Sequence, residues 1–194
     1  MKKVGILVFA IAFVTMSFIN PTVLVENTIK VDVAKSTINW KGYKPTGSHN
    51  GIISLTSGEL IMEEGVIKGG SFMVNMLTIK DADGSEKLEG HLKSADFFEI
   101  EVYPTSTFEI KNSSIEDGKT ILTGDITIKG ITKQLTFSAV VTETEGTVTL
   151  TSETIQINRT DFNVKYKSKS FFNDLKEKFI NDEFDLQVTI VATK

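Results

Sequence analysis

Apolar and polar residues alternate along most of this chain, and this alternation restricts the fold more than any other feature. The segments Ile131–Val141 and Phe184–Ala192 carry apolar residues at nearly every second position. A period of two is typical of strands that bury one face. Seven more segments are strand candidates: Ile29–Val33, Thr37–Tyr43, Gly51–Met62, Val66–Ile79, Ser106–Lys111, Thr120–Ile128 and Thr147–Ile157. The last of these slips in phase near Ser152–Thr154, where a β-bulge would restore the alternation.

Short turns separate these strands. Residues that suit the positive φ of hairpin turns occur in Glu63-Glu64-Gly65, Glu116-Asp117-Gly118, Lys129-Gly130 and Glu145-Gly146. Eight or nine strands joined mainly by hairpins predict an all-β fold, either an antiparallel barrel or a sandwich. A closed barrel is favoured because closure leaves no sheet edge exposed.

Two segments interrupt the strand pattern with helical spacing. Leu88, Leu92 and Ala95 recur at helical intervals within Ser85–Phe98, and Ser85 is a candidate N-cap. A second apolar stripe, with residues four apart, runs through Ser170–Ile180. We therefore expect two short helices inserted between strands.

The first residues predict an export signal. Lys2 and Lys3 precede the apolar run Val4–Ile19, and Pro21 follows it. This order is typical of a secretory signal peptide, and the run is slightly short for a membrane span of about 20 apolar residues. We expect a signal peptide at residues 1–27, without a marked cleavage site, and a single domain at residues 28–194. An uncleaved membrane anchor is the alternative.

Composition excludes several classes of function. The chain has no cysteine, so disulfides, thiolate metal sites and thiol nucleophiles are excluded. The formal net charge of −4 becomes −6 once the two N-terminal lysines are removed, and Arg159 is the only arginine. We expect no nucleic-acid partner, because no cluster of Lys and Arg offers a phosphate footprint. Binding to an anionic bilayer through charge is not expected either.

The polar faces of the strands indicate which side of a barrel is the inside. They carry Asp125, Gln134 and Gln187, which would be costly against lipid, and the strands lack aromatic girdles. The apolar faces therefore line the interior. The chain has thirteen phenylalanines, which either fill a solid core or surround a cavity for an apolar chain. Glycines within strands, at Gly42 and Gly69-Gly70, favour the cavity.

Four segments together resemble the YceI family of polyisoprenoid-binding proteins. They are VDVAKSTINW (Val31–Trp40), HLKSADFFEIEVYPTSTF (His91–Phe108), LTGDITIKGITKQLTF (Leu122–Phe137) and NRTDF (Asn158–Phe162). The resemblance implies an extended, lipocalin-like antiparallel β-barrel of about eight strands. It also implies an apolar cavity that binds an isoprenoid quinone, a polyprenyl lipid or a fatty amide. The segment KGYKPTGSHNG after Trp40, and Asn163, depart from the family's usual pattern.

Candidate site residues follow from the apolar faces and this resemblance. Expected to line or cover the cavity are Trp40, Phe72, Leu92, Phe97, Phe98, Phe108, Phe137, Phe162 and Phe171. His49, in a polar loop, and Arg159 are candidates for contact with a ligand headgroup. The alternatives are a solvated loop histidine and an ion pair between Arg159 and Asp161 or a neighbouring residue.

No motif predicts catalysis. A G-x-S-x-G elbow and a phosphate loop are both missing, and two histidines without a spaced third ligand are a weak signal for a metal. We expect a non-enzymatic protein, periplasmic or secreted, that carries or buffers a long-chain amphiphile. We expect neither a metal nor a cofactor besides this ligand. After cleavage of the signal peptide, we expect no integral membrane segment. A homodimer is one arrangement left open. The alternatives are a barrel enzyme that acts on a lipid or sugar, and a ligand-free structural or interaction domain.

Overall fold

The computed structural model describes residues 27–193, which form a ten-stranded antiparallel sheet and one α-helix. Most of the signal segment expected at residues 1–27 lies outside the described residues. The elements are β1 (Asn27–Val31), β2 (Thr37–Lys44), β3 (Gly47–Glu63), β4 (Val66–Asp81), α1 (Glu86–Lys93), β5 (Thr105–Glu116), β6 (Lys119–Ile128), β7 (Ile131–Thr144), β8 (Thr147–Ser152), β9 (Ile155–Asn158) and β10 (Glu183–Thr193). Within residues 27–193, no helix has the length and apolar character needed to cross a bilayer.

The sheet closes on itself. Each strand from β2 to β7 pairs with the next one in the chain, and β10 pairs with both β2 and β8. β9 continues the path of β8 along β10, while β1 fills the space between β10 and β3 beyond the end of β2. The ring therefore has eight positions, which confirms the predicted all-β barrel of about eight strands.

The predicted irregularity near Ser152–Thr154 divides one strand into β8 and β9. Thr151 pairs with Thr189, and Ile155 pairs with Leu186. Between these two pairs, the β8–β9 segment advances four residues (155 − 151), whereas β10 advances three (189 − 186). One extra residue of this kind is a β-bulge, and it keeps apolar side chains pointing inward on both sides of the break.

The two ends of the barrel differ. One end carries the turns β3–β4, β5–β6 and β7–β8, with positive φ at Glu64, Asp117 and Glu145 and at the glycine after each. These turns agree with the predicted hairpins. The other end carries the β2–β3 and β6–β7 turns, the segment 82–104 that contains α1, and the segment 159–182. We call it the helix end.

Only the first of the two predicted helices forms. α1 begins after Ser85, whose hydroxyl accepts a hydrogen bond from the backbone N–H of Leu88 at 3.3 Å, as the N-cap prediction requires. The helix predicted over Ser170–Ile180 is wrong: this segment consists of turns and one 3₁₀ turn, Lys176–Lys178. Asp174 and Lys176 have positive φ. Phe171 is half exposed, so the apolar stripe lacks the packing surface that stabilises a short helix.

Candidate functional site

The barrel encloses a cavity of about 250 Å³. Each of the strands β2 to β10 contributes to its wall, and the contributing side chains are mostly the inward-facing apolar ones. They include Ile38, Ile53, Leu55, Val74, Met76, Ile79, Ile110, Leu122, Ile126, Leu135, Leu150, Ile155, Leu186, Val188 and Ile190. The interior is therefore apolar, as the strand faces predict, and it is not completely filled by side chains.

The cavity is extended along the barrel axis. On β3 its wall extends from His49 to Leu55, which corresponds to about 20 Å of strand and roughly 15 Å along the axis at the usual barrel tilt. Its volume lies slightly below the ~300–1,000 Å³ of typical ligand pockets. This shape suits a thin apolar chain better than a compact ring system.

Glycine at position 42 creates part of this space. Gly42 lies on the cavity wall in β2, and a Cβ atom added there would meet nothing within 4 Å. Gly124 has a different role, because a Cβ at that position would lie 2.7 Å from the ring of Phe108. Gly42 therefore widens the cavity near the helix end, whereas Gly124 leaves room for the ring of Phe108 in the wall.

Four of the predicted aromatic residues lie on strands of the wall, and three of them are neighbours. The ring centroids of Phe72 and Phe108 are 6.5 Å apart, and those of Phe108 and Phe137 are 5.5 Å apart. Trp40 also lines the cavity, and its indole N–H donates to the backbone carbonyl of Lys80 at 3.1 Å. The indole is thereby fixed in orientation while its ring contributes apolar surface.

The segment around α1 covers the helix end of the cavity. Leu92, Phe97 and Phe98 all lie on the cavity wall, and Phe97 is 6% exposed. The ring of Phe97 packs against His91 and Tyr166, with centroid distances of 4.9 and 5.6 Å. The predicted position of these three residues over the barrel thus agrees with the structure.

Polar contacts hold this cover in place. Lys80 donates to the Glu89 carboxylate of α1 at 2.8 Å, and the backbone N–H of Asp81 donates to it at 3.2 Å. The Lys80 ammonium lowers the pKa of Glu89 below its usual range. On the other side, the ammonium of Lys129 donates to the carbonyls of Ala95 and Phe97. The cover is therefore bound to both β4 and the β6–β7 turn.

Arg159 is a structural residue in this fold. It is 4% exposed, and its guanidinium donates to the backbone carbonyls of Asn181, Val164 and Ile180 at 2.9, 2.7 and 3.0 Å. Its ion pair is with Asp182, at 3.4 Å, and not with Asp161. Although Arg159 reaches the cavity wall, four of its five N–H groups are used within the protein. These contacts favour the predicted alternative, an ion pair with a neighbouring residue, over contact with a ligand headgroup.

His49 lies at the rim but in a strand, not in a loop as predicted. β3 begins two residues earlier, at Gly47, and His49 pairs with Gly42 of β2. Lys44 and Asn181 also line this part of the cavity. The helix end is thus the polar end of an otherwise apolar channel.

Two predicted residues do not line the cavity. Phe162 is 3% exposed and packs in a cluster with Ile126, Ile128, Ile155 and Ile157, of which the first three line the cavity. Phe171 is 50% exposed, and the ammonium of Lys165 lies 4.6 Å from its ring centroid. Phe171 does not cover the cavity, because the segment that carries it forms turns at the surface.

Part of the cavity wall consists of residues that were not among the predicted site residues. Val188, Leu186 and Ile190 of β10 line the cavity together with Ile180 and Met76. The period-two pattern of β10 was the available signal, since it placed these residues on the apolar face. Aliphatic residues thus form a large part of the wall, beside the predicted aromatic ones.

A closed eight-position β-barrel with an apolar channel and one polar, covered end defines a class of small barrels able to hold an elongated ligand. The family model for the YceI-like domain matches residues 29–192. The chain therefore belongs to the YceI family.

Similar proteins support this assignment. A UPF0312 protein of Staphylococcus aureus strain N315 is 45% identical over 53 residues, which is 27% of this chain and 29% of that protein. A UPF0312 protein of Photorhabdus laumondii is 36% identical over 59 residues, covering 30% of each chain. The matched region thus spans less than a third of the length of these relatives.

Solved structures share the fold at low sequence identity. BcnA of Burkholderia cenocepacia has a TM-score of 0.71 at 20% identity, over 84% of this chain and 99% of BcnA. A polyisoprenoid binding domain from Saccharophagus degradans, implicated in plant cell wall breakdown, has a TM-score of 0.64 at 10% identity, over 85% and 97% of the chains. The YceI protein of Campylobacter jejuni has a TM-score of 0.54 at 17% identity, over 100% and 99%.

Proposed function

We propose that this protein is exported and holds a long-chain amphiphile in its barrel, as a carrier or buffer between membranes or enzymes. The ligand class is an isoprenoid quinone, a polyprenyl lipid or a fatty amide. The observation that carries the proposal is the extended apolar channel, about 250 Å³ in volume, with polar groups gathered at one end. Family membership and the name of the Saccharophagus degradans domain support an isoprenoid-like ligand.

Burial of an apolar chain is sufficient to drive binding. Each methylene removed from water contributes about 0.8 kcal/mol, so ten contribute about 8 kcal/mol before the cost of association. The polar end would leave the headgroup near Lys44 and Asn181, where it keeps contact with water.

Native mass spectrometry of protein purified without detergent tests this function. We expect a bound mass of several hundred daltons that organic solvent releases. The variant Gly42→Phe should lose this mass, because its side chain would enter the open space beside Gly42, where an added Cβ atom meets nothing within 4 Å. Val140→Phe is the matched control, since Val140 is 49% exposed on the outside of β7.

An empty wild-type barrel that no quinone or polyprenyl lipid stabilises thermally would contradict the proposal. Equal retention of the mass by wild type and a folded Gly42→Phe variant would place the ligand outside the channel and would contradict it as well.

A further inference from the structure

Three metal-ligating side chains meet at the helix end of the β3–β4 pair. They are His49 of β3, Asp81 at the end of β4, and Asp83 two residues later; one ligand atom from each lies within 4.8 Å of the others. The register of β3 and β4, which places Gly51 opposite Asp81, brings the histidine beside the two carboxylates. His49 and Asp81 are 32 residues apart in the sequence (81 − 49), so their spacing alone does not predict a metal site.

One carboxylate oxygen of Asp81 is buried without a hydrogen-bond partner. Its side chain is 1% exposed. Its Oδ2 atom accepts a hydrogen bond from the backbone N–H of Ser85 at 3.1 Å, whereas Oδ1 is buried without a hydrogen-bond partner. A buried carboxylate oxygen without a partner is energetically costly. A ligand that contacts Oδ1 would remove this cost.

The atom facing Asp81 Oδ1 also lacks a hydrogen-bond partner. Nδ1 of His49 is buried and lies 3.7 Å from Asp81 Oδ1, which is too long for a hydrogen bond. Two atoms at this distance, each about 2.1 Å from a common ion, subtend an angle of roughly 120° at the ion, close to tetrahedral. The separation therefore fits a shared cation better than a direct contact.

The neighbouring charges leave Asp81 available. Lys80, the residue before it, is engaged by Glu89 at 2.8 Å. Lys44 lies with its ammonium 3.3 Å from His49 Nε2, and its exposed side chain must turn away when His49 Nδ1 binds a cation. Asp83 is exposed, so its carboxylate can adjust to complete the set.

We propose that His49, Asp81 and Asp83 form a binding site for a divalent transition-metal ion of the zinc class. An imidazole nitrogen with two carboxylates suits this class, whereas magnesium and calcium prefer oxygen ligands alone. Water fills the remaining coordination position. The site lies at the rim of the cavity, because His49 also lines it, but its occupation does not require a bound lipid.

Isothermal titration of untagged protein with zinc chloride tests this site. We expect one zinc ion per chain, with affinity reduced at least about tenfold in His49→Ala and in Asp83→Asn. Asp96→Asn is the matched control: Asp96 faces His91 at 3.1 Å, a second His–Asp pair that is not part of the three-residue cluster. It should leave zinc binding unchanged.

Two results would overturn the proposal. One is the absence of zinc binding by wild type, and the other is binding that is equally strong in His49→Ala and Asp83→Asn. Calcium and magnesium should bind at least tenfold more weakly than zinc, and equal binding of calcium would overturn the assignment to the zinc class.

Discussion

Arg159 illustrates how a single residue acquires a role that its type does not reveal. A lone arginine near a strand end was compatible with either an ion pair or a headgroup contact. Its guanidinium donates hydrogen bonds to the backbone carbonyls of Val164, Ile180 and Asn181. It therefore connects the strand end at β9 to the chain entering β10. The partner atoms are backbone groups of a segment without periodic pattern, so sequence alone could not identify them.

Replacing Arg159 with methionine should destabilise the fold strongly. The change keeps most of the side-chain volume but leaves three carbonyls and Asp182 without their donor, and breaking a buried charged contact costs ~3–5 kcal/mol. Chemical denaturation measures this loss. Lys87→Met is the control, because Lys87 is exposed on α1 and should change the free energy of unfolding by under ~0.5 kcal/mol. A folded, equally stable Arg159→Met variant that fails to retain lipid would restore the headgroup interpretation.

At the scale of elements, the strands were predictable and the connections at the helix end were not. Each of the nine predicted strand segments overlaps an observed strand, because one buried face imposes a period of two. The first helix was predicted from its cap and stripe. The second predicted helix does not form, because Phe171 and Phe172 remain half exposed and contribute little packing. The proximity of His49 to Asp81 depends on strand register, which one-dimensional spacing does not contain.

Phe97 and Phe171 are both expected from the sequence to line or cover the cavity, but their positions in the structure predict different effects of substitution. Phe97→Ala removes a buried ring from the cover, which should cost about 3 kcal/mol or more and accelerate ligand exchange. Phe171→Ala alters a half-exposed ring at the surface and should change neither property appreciably. Thermal denaturation and the rate of ligand transfer to vesicles measure the two effects. Equal losses in both variants would show that Phe171 also covers the cavity.

At the scale of the whole molecule, closure of the sheet determines what the protein can do. β10 pairs with both β2 and β8, so the apolar faces of all the strands meet around one axis. Thirteen phenylalanines could have filled this interior. Instead, an inward glycine at position 42 and aliphatic residues from β10 leave a channel. Composition could not distinguish a filled barrel from a hollow one, because the difference lies in how a few side chains pack.

Fluorescence of the single tryptophan tests most directly whether this channel holds a chain. Trp40 is the only tryptophan of the protein and lies on the cavity wall, so a quinone that enters the barrel should quench its emission. Titration with isoprenoid quinones of increasing tail length should show affinity rising roughly fourfold per buried carbon, at ~0.8 kcal/mol each, until the tail fills the channel. The headgroup without a tail should not bind. Quenching that is independent of tail length, or no quenching by any tailed quinone, would contradict a chain-binding barrel.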